Sequence, residues 1–436
     1  MRLRDAIVKT EDLLWYAAEL GHEVVAITEH ESLSNHVKAE KIYKKVKEKY
    51  PDFKLIRGNE IYLCRNGLNA DNFNRETDKY YHCILLARDA TGHKQIREIS
   101  TRAWRRSYMA RGMRRVPTYY QDLFDIIAEN RGHVIGTTAC LGGAIGTQLL
   151  KYRETKDEKL FEKILAWCDQ MEFIFGPGNF YLELQPAANR DQQYVNRMLI
   201  DIANTYHYPY IITTDSHYLK KEDKPIHKAY LNSQNGDREV DDFYATTYMM
   251  DTAELESHMD LTKEELYEAY SNIHHIKEMC EDYSLLKPLK IPQLAWREPV
   301  GAPAPQEWFD KIPYMKTFME SDYVGDHVLC DHISLALSKD KKLQTSEIYD
   351  AINECLEMTW ISSEVNKTHW SAYYLNLQKI IDSVWEAGSL VGPGRGSGVG
   401  FILLYLLGIT QINPQWESTK TYAFRFLNPE RVSVLD

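Results

Sequence analysis

Val24-Val-Ala-Ile-Thr-Glu-His30 is a short apolar run that ends on two ionisable side chains, and its reading decides the fold. Before it, Glu11 to Leu20 carries Leu13, Leu14, Ala17 and Ala18 on one helical face, and Gly21 ends that helix. A buried strand over 24–28 follows, then a helix from about Ser34 to Tyr50. The same alternation continues along the chain. Strands are expected near Phe53–Leu63, Tyr81–Ala87, His133–Gly136, Tyr181–Gln185 and Tyr210–Thr213. Helices are expected around Gly92–Trp104, Glu158–Phe175 and Arg190–Tyr206, the last with Val195, Leu199, Ile202 and Ala203 inward. Repeated strand–helix units of this kind predict an α/β fold, either a βα barrel or a parallel open sheet.

Ionisable residues collect at the ends of these strands. His30 follows the first, Glu60 sits in Gly58-Asn-Glu-Ile-Tyr62, and His82 opens its strand. Cys140 follows Gly136-Thr-Thr-Ala, and Asp215 with His217 follows Ile211-Ile-Thr-Thr214. In a βα barrel the C-terminal strand ends converge on one face, so these residues would form a mixed N/O/S site for Zn²⁺, Mn²⁺ or iron. Taken singly, His82 reads equally as a hydrogen-bonded core histidine and Cys140 as a small buried apolar residue. Asp215 and His217 point the same way only if strand alternation holds between them.

Composition bounds the rest. With 436 residues and 44% hydrophobic content the chain can build two to four globular domains. The formal charge of −11 argues against a wholly basic nucleic-acid binder, though positive charge can be confined to one groove. The cysteines number seven and show no CxxC, which disfavours a disulfide framework or zinc finger and fits a reducing cytosol. No apolar run approaches the ~20 residues of a membrane-spanning helix, and Met1-Arg-Leu-Arg-Asp-Ala has no signal-peptide character.

Towards the C-terminus, Val391-Gly-Pro-Gly-Arg-Gly-Ser-Gly-Val-Gly400 places backbone N–H groups where a polyphosphate could approach without Cβ interference. Arg395 adds charge and Ser397 a hydroxyl. The loop lacks the P-loop lysine, and alone it reads equally as a flexible turn between helices. Its company is distinctive: Leu406-Leu-Gly-Ile-Thr410, Asn413-Pro414 and Phe426-Leu-Asn-Pro-Glu-Arg431-Val-Ser433 follow. In that order these motifs resemble the opening of the palm in bacterial replicative DNA polymerase III alpha subunits, the C family. Residues 1–235 are in turn similar to the PHP (polymerase and histidinol phosphatase) domain that begins those proteins, with AITEH for the family's AITDH, GNEIY for GCEVY and TTDSHY for TNDVHY.

The resemblance implies a PHP-type distorted βα barrel, a mainly helical thumb and the first part of a polymerase-beta-like palm. It implies PHP metal ligands at Asp5, His30, Glu60, His82, Cys140, Asp215 and His217, with Zn²⁺ or Mn²⁺ as the ions. Phosphate-binding roles fall on Arg395, Gly396, Ser397 and Arg431. Asp436 matches the first catalytic carboxylate of the family's PDIDxD strand, which holds Mg²⁺; Leu435 replaces its proline. Expected boundaries are 1–235 for the PHP domain, 236–290 for a helical closing segment, 291–307 for a proline-rich linker, 308–388 for thumb and first palm helices, and 389–436 for the start of the palm. One departure matters. The family's domain opens with a strand carrying HxH, two further ligands, and no such strand precedes Asp5 here. At least one metal position should then be empty, which favours a structural platform over a working phosphoesterase or 3′→5′ exonuclease.

Arg102, Arg105, Arg106, Arg111, Arg114 and Arg115 cluster with Trp104 and Tyr108 interleaved, a pattern suited to DNA and equally to a solvated basic helix face. The family resemblance implies primer–template DNA, dNTPs, a remaining polymerase segment or second polypeptide, and a sliding clamp and other replisome proteins as partners, in bacterial or phage-infected cytoplasm, without a membrane. A stand-alone PHP phosphoesterase and a non-catalytic DNA-binding or assembly subunit of a split replicase are the rival readings.

Overall fold

A computed structural model describes residues 6–110, 113–233, 243–287, 290–293, 295 and 301–432. The chain divides into two compact units, Met1–Leu286 and Lys287–Asp436.

The first unit is built on strands β1 (Val24–Ile27), β2 (Lys54–Cys64), β3 (Tyr80–Ala87), β4 (Tyr108–Ala110), β5 (Met113–Arg115), β6 (Val134–Thr137), β7 (Phe180–Leu184) and β8 (Tyr210–Ile212). Six of them form one sheet in the order β1-β2-β3-β6-β7-β8, curled into a half barrel, while β4 and β5 pair as a separate hairpin. The sheet is mixed rather than parallel. β1 runs parallel to β2, and β6, β7 and β8 are mutually parallel, but β3 is antiparallel to both its neighbours. The cause lies in the connection: β2 and β3 are joined by 65–79, which holds a single 3₁₀ turn and no crossover helix, so the chain folds back antiparallel.

Helices cover the sheet where the apolar spacing places them. Glu158–Phe175 turns Ile164, Trp167, Cys168, Met171, Ile174 and Phe175 inward, and Arg190–Tyr206 turns Val195, Leu199, Ile202 and Ala203 inward, with the Asn189 side chain accepting from Gln192 N at its start. Gly136 lets Phe175 close on β6: a Cβ there would meet the ring at 2.2 Å. Three helices of this unit escape the sequence reading, Tyr120–Ile126, Ala144–Thr155 and Lys224–Asn232. The arginine-rich stretch read as a helix face is helical only to Arg105; from Tyr108 it becomes the β4–β5 hairpin, with Tyr108 opposite Arg115.

In the second unit, helices Pro313–Met319, Val324–Lys339, Ser346–Asn366 and Ser371–Glu386 enclose a core that includes Leu329, Ile333, Ile352, Leu356 and Tyr374. The apolar run Phe401-Ile-Leu-Leu404 is wholly buried in it. Among the described residues this unit has no strand, so the palm reading is carried by its motifs and not by a sheet.

A candidate metal centre at the strand ends

The first unit brings most of the expected ligands to one place. Strand alternation puts Glu60 on the face of β2 opposite the core residue Ile61, and His82 on the corresponding face of β3. Cys140 arrives just past the end of β6. Ligand atoms of Glu60, His82 and Cys140 all lie within 4.8 Å of one another. His82 Nδ1 is 2.7 Å from Glu60 Oε1 and 3.4 Å from Cys140 Sγ. His30 Nδ1 stands 3.5 Å from Glu60 Oε2, and the His30 and His82 rings are 5.3 Å apart. His217 Nδ1 is 2.7 Å from the carbonyl oxygen of Asp215 and 3.7 Å from its carboxylate.

The backbone is strained around these groups. Three non-glycine residues in the left-handed region adjoin or belong to the site: Glu31 (φ 50°) after His30, Ala139 (φ 56°) before Cys140, and Asp215 itself (φ 45°). Such conformations cost about 1–3 kcal/mol each and persist where the surroundings over-determine them.

Charge and burial act together. Burial pushes Glu60 upward, but the imidazoles of His30 and His82 outweigh it and hold the carboxylate below its ordinary range. Burial raises Asp215, with His217 opposing. Burial also raises the Cys140 thiol well above its usual value, with Asp215 and Glu60 adding to it. The donor set of thiolate, imidazole and carboxylate fits Zn²⁺ or another borderline transition metal.

A cavity of about 660 Å³ opens between the outer strands of the sheet, lined by β1 from Val24 to Ile27 and β8 with its continuation to Thr214. His30, Glu60, Asp215 and His217 stand on its wall, as does Glu29, whose buried Oε2 has no hydrogen-bond partner among the described residues.

Sequence reasoning missed Glu183. It is buried on β7 between β6 and β8, accepts hydrogen bonds from Thr137, from Thr213 Oγ1 (2.5 Å) and from Gln185 Nε2 (3.3 Å), and donates its backbone N–H to Thr138 Oγ1 at 2.8 Å. It thereby ties the two strand ends that deliver Cys140 and Asp215. The available signal was a lone charge in the otherwise apolar Phe180-Tyr-Leu-Glu-Leu184.

Other expected positions fare differently. Asp5, Arg111 and Asp436 lie outside the described residues. Arg102 pairs with Asp125 at 2.9 Å and with Glu98 at 3.0 Å, and Arg106 pairs with buried Asp122 at 2.6 Å, so these two are committed to the protein's own acids. Arg105 and Arg114 are exposed. Arg395, Gly396 and Ser397 lie exposed at the start of a 3₁₀ turn, Gly396–Gly400, which separates them from the helix Ile402–Leu406. Gly396 takes φ 69°, the conformation for which a glycine is needed. Arg431 falls in the short helix Pro429–Val432.

Comparison with known proteins places both ends of the chain. A PHP domain model matches residues 1–187, and a model described as bacterial DNA polymerase III alpha NTPase domain matches residues 336–436. The chain is 37% identical over 447 residues to "Probable DNA polymerase YorL" of Bacillus subtilis (strain 168) and equally to "DNA-directed DNA polymerase" of Bacillus phage SPbeta, covering 95% of this chain and 33% of each relative. It is 28% identical to "DNA polymerase III subunit alpha" of Aquifex aeolicus, covering 100% of this chain and 34% of the relative. The chain thus spans about a third of the length of these relatives. Among the described residues, no helix is long and apolar enough to cross a membrane.

Proposed function

The chain matches an N-terminal portion of the DNA polymerase III alpha family, and on that premise we propose that it is the PHP, thumb and early-palm portion of a replicative DNA polymerase, whose PHP unit holds one divalent transition metal and serves as a platform for DNA. The observation that carries this reading is the convergence of Glu60, His82 and Cys140 within 4.8 Å in a chain whose far end matches a polymerase III alpha model.

Zn²⁺ or Mn²⁺ is the proposed ion, held by Glu60, His82 and Cys140, with His30, Asp215 and His217 beside it. When bound, such an ion lowers the pKa of a water and neutralises charge on a phosphodiester. The chain's own residues orient the site: Glu60 fixes His82, the Asp215 carbonyl accepts from His217 Nδ1, and Glu183 sets the two threonine-bearing strand ends. Asp5 is proposed as a further ligand.

In the polymerase portion, Arg395, Gly396 and Ser397 are proposed to hold the dNTP triphosphate, with Arg431 as a phosphate or scaffold contact and Asp436 as the first Mg²⁺-binding carboxylate. Primer–template DNA, the remaining polymerase polypeptide and replisome proteins such as the sliding clamp are the proposed partners, in bacterial or phage-infected cytoplasm. Primer extension tests this: the chain alone should extend no primer, and joining it to the rest of a polymerase III alpha polypeptide should restore extension that Asp436→Asn abolishes. Failure of the joined protein, correctly folded, would remove the polymerase reading and favour a stand-alone PHP protein.

A further inference from the structure

The face of β2 and β3 that carries Glu60 and His82 does not end at the ligands. Residues two apart on a strand share a face, so Tyr62 continues the row of Glu60 and Tyr80 continues the row of His82. Tyr62 is the direct cross-strand partner of His82. Its ring lies 5.3 Å from the His82 ring, 5.4 Å from His30 and 6.0 Å from Tyr80. The Tyr80 hydroxyl meets that of Tyr108 at 2.5 Å, which carries the row onto the β4–β5 hairpin. There the Arg75 guanidinium lies 4.7 Å over the Tyr108 ring, and Arg115 stands opposite Tyr108 in the hairpin ladder. All three tyrosines are half-buried, and Arg75 is exposed. Alongside, Trp104 is 45% exposed and donates to the Glu31 carbonyl at 2.6 Å, while the Glu31 carboxylate accepts from Tyr62 N–H.

A row of partly exposed rings flanked by guanidiniums is the chemistry of single-stranded nucleic-acid binding. Rings stack on unpaired bases of any sequence, and arginine pairs with phosphate while also stacking. A duplex offers only its backbone to such a surface. We propose that Tyr62, Tyr80 and Tyr108, with Arg75 and Arg115, form a binding strip for the unpaired nucleotides of a single-stranded DNA end, and deliver that end beside the Glu60–His82–Cys140 cluster. The proposal rests on reading the chain as a nucleic-acid-handling protein, and it assigns the recognition to base stacking, which the metal site does not provide.

The test uses the whole chain in EDTA, so that no cleavage intervenes, and a short oligodeoxynucleotide with 2-aminopurine at its 3′ end. Stacking should quench the 2-aminopurine on binding. Tyr80→Leu and Tyr108→Leu, which lie away from the ligands, should each weaken affinity by about 5- to 100-fold and relieve the quench. Tyr80→Phe should bind like the parent. Arg75→Ala and Arg115→Ala should each flatten the dependence of log affinity on log salt by about 0.7. Binding unchanged in the two leucine variants, equal binding of a duplex of the same length with the same indifference, or no binding of single strands by the parent would each overturn the proposal. Metal content of the same variants separates the two readings: a protein that binds no ion yet loses single-strand affinity in the leucine variants keeps the strip and loses the metal centre.

Discussion

Lowering the pH should destabilise the first unit through a buried histidine pair that has no part in the metal centre. His36 Nδ1 lies 2.9 Å from His93 Nε2, and His36 Nε2 lies 3.1 Å from the Gly58 carbonyl oxygen. With His36 donating to Gly58 and accepting from His93, the His36 ring must be neutral. Burial holds His36 down to about 4, Arg57 adding to it, and burial with the His36 and Arg57 charges holds His93 down to about 3. Arg97 also disfavours a charged His93, the buried Glu40 carboxylate opposes weakly, and the Tyr283 ring packs 5.7 Å away. In the unfolded chain each imidazole titrates near ~6.5. The unfolded state therefore takes up protons first as pH falls, and stability is intact above about pH 6.5, declines below it and levels off for His36 once the pH is under about 4. At pH 5 the gap is about 1.5 pH units, so His36 alone removes about 2 kcal/mol relative to pH 7, and His93 acts in the same direction. Urea unfolding followed by circular dichroism at pH 7 and pH 5 measures the loss. His36→Gln, which can still donate to Gly58, and His93→Gln should each show a smaller loss than the parent. Parent and both variants losing the same stability over this interval would refute the reasoning.

Three further outcomes are expected. Co²⁺ added to the parent should give a thiolate-to-metal charge-transfer band, and Cys140→Ser should lack it while retaining weaker binding through Glu60 and His82. Glu183→Ala leaves the Thr137 and Thr213 hydroxyls without their acceptor, at a cost of about 1–3 kcal/mol for each group left unsatisfied; chemical unfolding should show the loss, and Co²⁺ titration should show weaker binding than in Glu183→Gln. Gly136→Ala pushes a methyl into the Phe175 ring and should destabilise by about 1–3 kcal/mol, with Phe175→Leu in the same chain recovering part of the thermal midpoint.

How far the sequence spoke depended on whether a signal was local. Apolar periodicity located the helices Glu158–Phe175 and Arg190–Tyr206 and the strand segments that carry the ligands, because a buried face leaves its period in the chain. The antiparallel course of β3 was not legible from βα alternation: it follows from the helix-free connection 65–79, whose polar residues look like any loop. The six arginines read as one basic run, yet Arg102 and Arg106 are spoken for by Asp122 and Asp125, partners that no spacing rule brings near. His30, Glu60, His82 and Cys140 were each ambiguous alone, and their meeting is a product of sheet order. Glu183 and Tyr62 were passed over for the same reason: one binds strands on either side of its own, and the other matters through the face it shares with Glu60.

The proposed role of these residues is to hold one transition-metal ion, with the unit serving as a platform. Elemental analysis of the purified chain, with a 3′-labelled single-stranded DNA degradation assay in added Zn²⁺ or Mn²⁺, tests it most directly. About one equivalent of transition metal per chain is expected, with its loss in a Cys140→Ser, His82→Ala double variant and no metal-dependent release of label. A metal-free chain that takes up no added ion would contradict the metal centre, and label release abolished by His217→Ala would show a working hydrolase instead of a platform.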